Sequence, residues 1–449
     1  MTDVHADPLD LLRARTSEKW TTYPADVLPL FVAEMDYPLA DPIIATLIER
    51  VRASDTGYVA GPGPVAPAFA AFAERTWNWT VDPARIRTTT DVSVAIVETL
   101  RLAISPGDRV VITPPVYPPF FDLVPEAGGV VVEVPLLGAS SSTAGATSSS
   151  DTSATSLSEA SATSSSDTGA TSSSDARASS SAHAGGPSSA DARATSSAEA
   201  DSVVVDVDGA WSLDLAALER EFAAGARAFL LCNPHNPLGL VHSRRQLEAV
   251  AQLALRYGVT VVSDEIHAPL VHSDAEFVPF LTVSDAAREV GITVTSASKA
   301  FNLAGIKCAL MVAGGDRTAA LLDKLPEEVG FRTSLLGLHA SVAAFTDGAD
   351  WLAGALRAID SNRRLLATLL ADHLPEVRYR MPQASYLAWL DCRELGWGDD
   401  PSARALDVAR VALNPGRDFG TQGAGFMRLN FACSPEVLTE AVQRLAAAR

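Results

Sequence analysis

From residue 109 to 298 the chain keeps alternating between short runs of β-branched and aliphatic residues and longer stretches with helical spacing, and that alternation leaves few architectures open. The runs are RVVIT at 109–113, GVVVEVPL at 129–136, AFLLCN at 228–233, VTVVSDE at 259–265 and ITVTSAS at 292–298. Several are apolar almost without interruption, the texture of strands covered on both faces. Between two of them lies SRRQLEAVAQLALRYG, where Ser243 can cap the start of a helix and Gly258 its end. Leu247, Val250, Ala251 and Ala254 recur at helical spacing between those caps. The alternation predicts an α/β fold around a largely parallel sheet. The last third is richer in helix, with DWLAGALRAIDSNRRLLATLLADHL its longest candidate, and predicts a second, smaller domain.

One segment interrupts this texture. Residues 138–202 are nearly all Ser, Ala, Thr, Gly and Asp, with an imperfect unit recurring as SATSSSDT, GATSSSDA and RATSSAEA. Without large apolar residues it cannot offset its own ordering entropy, so it is expected to be a disordered surface insertion. A solenoid would need apolar positions in each repeat. The 449 residues carry a formal charge of -19, which argues against nucleic acid or an anionic membrane as a partner. The start of the chain lacks a basic, apolar leader, and no apolar run approaches a membrane span. Cys232, Cys308, Cys392 and Cys433 are scattered, as befits core thiols in a reducing cytoplasm rather than a disulfide frame or a metal site.

Three strand ends carry chemistry. Ser296-Ala297-Ser298-Lys299 sets a lysine beside two hydroxyls, and Lys307 follows with a second positive charge; hydroxyls and turn amides at a strand end can cradle phosphate. Ser263-Asp264-Glu265-Ile266-His267 closes another strand with a carboxylate at the sheet's carboxyl edge, where α/β proteins bind ligands. Asn233-Pro234-His235-Asn236-Pro237-Leu238-Gly239 forms a tight loop after a third. Each alone is weak evidence.

Together, in this chain order, NPxNPxG, DE and SxSK resemble the cofactor signature of fold-type-I pyridoxal-phosphate (PLP) enzymes. The resemblance is closest to the MalY/PatB branch, the cystathionine β-lyase-like C–S lyases of the class I/II aminotransferase family. LPLFVAEMDYP at 28–38, TGYVAGPG at 56–63, TPPVYPPF at 113–120, QASYLAWLD at 383–391 and GFMRLNFAC at 425–433 carry it further. It implies a mixed, mostly parallel sheet between helices in a large domain over 42–314, and a smaller α/β domain over 315–449 joined by the arm 1–41. It also implies a homodimer with sites at the subunit interface.

The roles implied are chemical. Lys299 would hold the cofactor as a Schiff base and, once freed by substrate, remove the α-proton. An ordinary lysine, with a pKa of about 10.4, is almost wholly protonated at pH 7, so the site must favour the neutral amine. Asp264 would face the pyridine nitrogen, Asn236 the phenolic oxygen and Tyr117 the ring plane, with His267 beside them. Phosphate would meet Ser296, Ser298, Lys307 and the helix-start amides of Val92 and Ser93, plus Tyr58 from the neighbouring subunit; Tyr58 and Tyr117 would also border the substrate. The turn Thr90-Asp91-Val92-Ser93 departs from the Gly or Ser/Thr usual there, and Asp91 suits a phosphate site only as a cap turned away. Arg428 would grip the substrate carboxylate in a bidentate fork.

The expected reaction is α,β-elimination from cystathionine or a related cysteine thioether, giving pyruvate, ammonia and a thiol. His267 where aminotransferases usually carry Tyr, the VAEMD stretch, and the lack of a recognisable second arginine favour it. The alternatives are an aminotransferase using the same residues and a catalytically silent regulatory protein.

Overall fold

The apolar runs form strands whose two sides feed two different cores. The structure, a computed structural model, describes residues 3–138 and 211–449; apart from Gly138, the insertion at 138–202 lies outside them. The main sheet comprises β1 (Ile86–Thr89), β2 (Arg109–Ile112), β3 (Val130–Glu133), β4 (Ala228–Cys232), β5 (Thr260–Asp264), β6 (Gly291–Thr295) and β7 (Ala309–Ala313). Its order is β1-β7-β6-β5-β4-β2-β3. Neighbours from β3 through β6 pair in parallel, whereas β7 is antiparallel to both β6 and β1. The sheet is therefore mixed and mostly parallel, as the resemblance implied.

Side chains leave a strand alternately to either face. In β4, Phe229 and Leu231 enter one apolar cluster, and Ala228, Leu230 and Cys232 the other. Helix Arg244–Tyr257 covers the first with Leu247, Val250, Ala251 and Ala254. Ser243 and Gln246 form a reciprocal capping box at its start, and Gly258, at φ +71, ends it. Helix Val92–Ala103 covers the second cluster with Val92, Ala95, Ile96, Val97 and Leu100.

Two strands differ from expectation. The 129–136 run is not a covered strand: β3 is the sheet's edge, with Val130 51% exposed, so its β-branched residues fit a pleated, half-buried surface rather than a fully buried one. The strand at 291–295 is followed by β7, which reverses direction and had no counterpart among the expected runs.

A second, antiparallel sheet has the order Asn414–Pro415, Phe426–Asn430, Leu387–Asp391, Arg378–Tyr379, and the long helix runs Ala349–His373. The N-terminal arm joins here, Leu28–Pro29 pairing in parallel with Val411–Ala412. Residues 31–37 then continue without regular structure, a strap whose carbonyls are taken up by side chains. The Asn430 amide donates to Val32 O and Glu34 O, both at 2.7 Å, and the Asn302 amide to Met35 O at 2.9 Å and Tyr37 O at 3.3 Å. These bonds satisfy backbone groups that no ladder reaches.

Lys19 pairs with the strap's Asp36 at 2.5 Å, both side chains almost wholly buried. Lys19→Met leaves Asp36 without its partner and is expected to cost about 3–5 kcal/mol at neutral pH, read as a lowered urea midpoint. Adding Asp36→Leu should recover most of the loss; no recovery would show that the strap depends on the pair itself.

Candidate active site

The carboxyl ends of β4, β5 and β6 lie side by side, with Cys232 opposite Asp264 and Asp264 opposite Val294. The loops leaving them meet helix Val92–Ala103, the strap and strand Phe426–Asn430 around one cavity of about 750 Å3. Every residue expected at the site lines it except Tyr58, which stands 92% exposed and away from its own chain's cavity.

Lys299 follows β6 and its Nζ donates to Ala33 O at 3.1 Å. Burial, reinforced by the Arg428 charge, lowers the amine to about 8, which supplies the neutral form that an ordinary lysine lacks. Asp264 ends β5, with Oδ1 accepting from Ile266 N at 3.1 Å. Burial raises its carboxyl to about 7 against the opposing effects of that amide and of Lys299. The following Glu265 turns away from the cavity and ties loops together, accepting from Phe280 N at 2.8 Å and Ser263 Oγ at 2.9 Å.

Arg428 is 5% exposed in the middle of its strand. It donates to Phe31 O at 2.9 Å, Asn414 Oδ1 at 2.5 Å and Asn236 Oδ1 at 3.1 Å. All three acceptors are neutral, and among the described residues it pairs with no carboxylate. Burial lowers even this guanidinium, to about 10. With Asn236 Oδ1 engaged, its remaining polar atom, the amide nitrogen, can only donate. His267 is buried with Nδ1 unpartnered, and burial followed by the Lys299 and Arg428 charges holds it neutral, near 3. Tyr117 borders the same space, and burial raises its phenol.

At the other end, Asp91 does act as a cap. Its Oδ1 accepts from Val94 N at 3.0 Å, and its Oδ2 faces Lys307 Nζ at 3.2 Å. The awkward carboxylate is thereby turned onto the helix and neutralised, leaving the Val92 and Ser93 end of a positive helix terminus open to the cavity. Ser296 Oγ donates to Cys308 O at 2.7 Å, which commits its one proton, whereas Ser298 lines the cavity with its backbone N on Ser296 Oγ at 3.1 Å.

Sequence reasoning missed Ala33, Asn414 and Tyr386. Ala33 contributes a carbonyl, which no side-chain motif displays. Asn414 is placed by a two-residue strand, and Tyr386 lay in a stretch quoted only for its resemblance.

The chain is similar along nearly its full length to a Mycobacterium tuberculosis protein provisionally named cystathionine beta-lyase, at 41% identity over 97% of this chain and 96% of that one. It is 29% identical to the cystathionine beta-lyase PatB of Bacillus subtilis, over 94% and 92% of the two chains. A solved structure from Corynebacterium diphtheriae, described provisionally as a PLP-dependent beta-cystathionase, superposes with a TM-score of 0.80 at 29% identity, covering 99% of this chain and 98% of that one. The architecture is thus the fold-type-I one. The model of the family "Aminotransferase class I and II" matches residues 190–445, and the chain belongs to that family.

Proposed function

We propose that this protein is a PLP-dependent C–S β-lyase that cleaves cystathionine or a related cysteine thioether to pyruvate, ammonia and a thiol. One observation carries the reading: the Lys299 amine, the Asp264 carboxyl and a guanidinium without a carboxylate partner, Arg428, open onto a single cavity. The residues fit the cofactor. Asp264 is a buried acid without a cation in contact, suited to a protonated ring nitrogen. Asn236 has a free donor for a phenolic oxygen, Tyr117 offers an aromatic face, and the Val92–Ser93 helix end, Ser298 and Lys307 suit a phosphate. When bound, the cofactor supplies an electron sink that acidifies the α-hydrogen of an attached amino acid.

The rest falls to the protein. Arg428 holds the α-carboxylate and so selects which bond at the α-carbon breaks. Lys299 Nζ takes the α-proton and has a proton to return to the departing sulfur. His267, held neutral, adds no charge beside that amine. Elimination is favoured over transamination of dicarboxylic substrates because Arg428 is the only arginine among the described residues lining the cavity; Lys307 stands at the phosphate end, paired with Asp91. The similarity to proteins named cystathionine beta-lyase supports the same choice.

Incubation with cystathionine tests the reading: pyruvate and homocysteine are expected, whereas glutamate formed only with 2-oxoglutarate would indicate an aminotransferase. Arg428→Lys keeps the charge but loses the fork, and kcat/KM is expected to fall about 100-fold; an unchanged value would remove Arg428 from the substrate.

A homodimer is part of the same proposal. Tyr58 would reach the partner's cavity, and Ile44, Ile48 and Val51, exposed on helix Asp41–Arg52, would be covered. A monomeric mass by light scattering would remove this part. We place the division between large and small domains at 314, as the two sheets suggest, and limited proteolysis cutting elsewhere would move it. A cytoplasmic location is supported by four free, buried cysteines; no described helix is long and apolar enough to cross a membrane. Recovery of the protein outside the cytoplasm on cell fractionation would overturn that location.

A further inference from the structure

The Ala33 carbonyl serves two donors. Lys299 Nζ reaches it at 3.1 Å and the Tyr386 hydroxyl at 3.0 Å. Tyr386 is 1% exposed, and burial keeps its phenol protonated, so it acts there only as a donor. We propose that Tyr386 is a positioning residue that acts through the Ala33 carbonyl to keep the free amine of Lys299 in its neutral, proton-accepting form.

A carbonyl oxygen that already accepts from an O–H is a poorer acceptor for a second donor, because both draw on the same lone-pair density. An ammonium loses more by this than a neutral amine, since charge-assisted hydrogen bonds are roughly twice as strong as neutral ones. The Tyr386 bond therefore penalises protonated Lys299 selectively. The carbonyl cannot swing to serve Lys299 alone, because the flanking Val32 and Glu34 carbonyls are both held by the Asn430 amide. The Tyr386 ring is seated too, edge-on to His267 with centroids 6.3 Å apart.

The charged groups facing Lys299 come from every element around it. Arg428 and Lys307 disfavour the ammonium, while Asp264 and Glu34 favour it; His267 and Tyr117 line the same cavity, as do the carboxylates of Glu18, Asp91 and Asp418. Removing the Tyr386 hydroxyl alters none of these charges, so the substitution isolates the hydrogen bond.

The inference rests on Lys299 being the base of the proposed reaction, but its test reads the amine directly. Full-length protein freed of cofactor is trace-labelled with acetic anhydride from neutral to alkaline pH, and Lys299 is followed by mass spectrometry. Tyr386→Phe is expected to raise the Lys299 midpoint by about half a unit to one unit, leaving roughly three- to ten-fold less neutral amine at neutral pH. Tyr37→Phe, which removes a buried hydroxyl without a partner among the described residues, should leave the midpoint in place. Replacing tyrosine throughout by 3-fluorotyrosine, a stronger donor, should lower the midpoint in the wild-type chain and not in Tyr386→Phe.

An unmoved or lowered midpoint in Tyr386→Phe, or an equal rise in Tyr37→Phe, would overturn the proposal. Should Tyr386→Phe not fold, the fluorotyrosine arm decides by itself, and a wild-type midpoint that fails to fall overturns it. A protein that never takes up the aldehyde cofactor would sink the proposed function while leaving the labelling result readable.

Discussion

Lys299→Ala is expected to lower pyruvate release from cystathionine by about 10,000-fold, the upper range for loss of a positioned general base. In the proposed mechanism the amine removes the α-proton, and neither His267, Lys307 nor Tyr117 is suited to replace it. His267 is neutral but far too weak a base near 3, Lys307 is held by Asp91, and Tyr117 is a buried phenol whose proton burial retains. Thermal melting of the apoprotein should be close to wild type, because the substitution deletes an amine whose protonation the site already disfavours. Substantial turnover by a folded Lys299→Ala protein would refute the mechanism. Loss of turnover accompanied by loss of the melt would say nothing about the base, so the two are measured together.

Asp264→Asn is expected to reduce kcat by about 100- to 1,000-fold, comparable to removing one preorganised electrostatic partner, and to weaken cofactor retention. Its effect on the apoprotein has the opposite sign. The Asp264 carboxyl sits at about 7 in the folded chain against an ordinary 3.8. Between those pH values the folded state keeps a proton that the unfolded state has released, so stability falls as pH rises and levels off above about 7. The full loss is on the order of 4 kcal/mol. Asp264→Asn removes this share and should stabilise the apoprotein most at neutral pH and little at pH 4. Part of the slope persists, because burial also raises Glu265 to about 7. Equal pH dependence in the two proteins would mean that Asp264 is not the buried acid described.

How far these features could be read in advance depended on where their physics resides. The strands β4, β5 and β6 were legible because burial on both faces demands an unbroken apolar run, and helix Arg244–Tyr257 because its caps are side chains. β1, with the sequence IRTT, carries too few apolar residues to stand out. β7, ALMVA, lacks the β-branched enrichment that separates a strand from a buried helical turn. At the site, Lys299, Asp264, Asn236 and Arg428 were named because each uses a distinctive side chain at a strand end or in a motif. The Ala33 carbonyl, and the Asn302 and Asn430 amides that hold its neighbours, could not be, since one acts through its backbone and the others are common polar residues. The capping role of Asp91 was legible only as a condition, and the structure fulfils it through Val94 and Lys307.

The strap at 31–37 has a consequence for synthesis. It is synthesised well before Arg428 and Asn430, which grasp its carbonyls from 397 and 398 residues further along the chain. A nascent chain can complete β1 through β7 while one wall of the reaction chamber is still missing. The candidate site therefore cannot be completed until residue 430 has been made, and ribosome-bound intermediates that stop short of it should be inert however well their central sheet has formed.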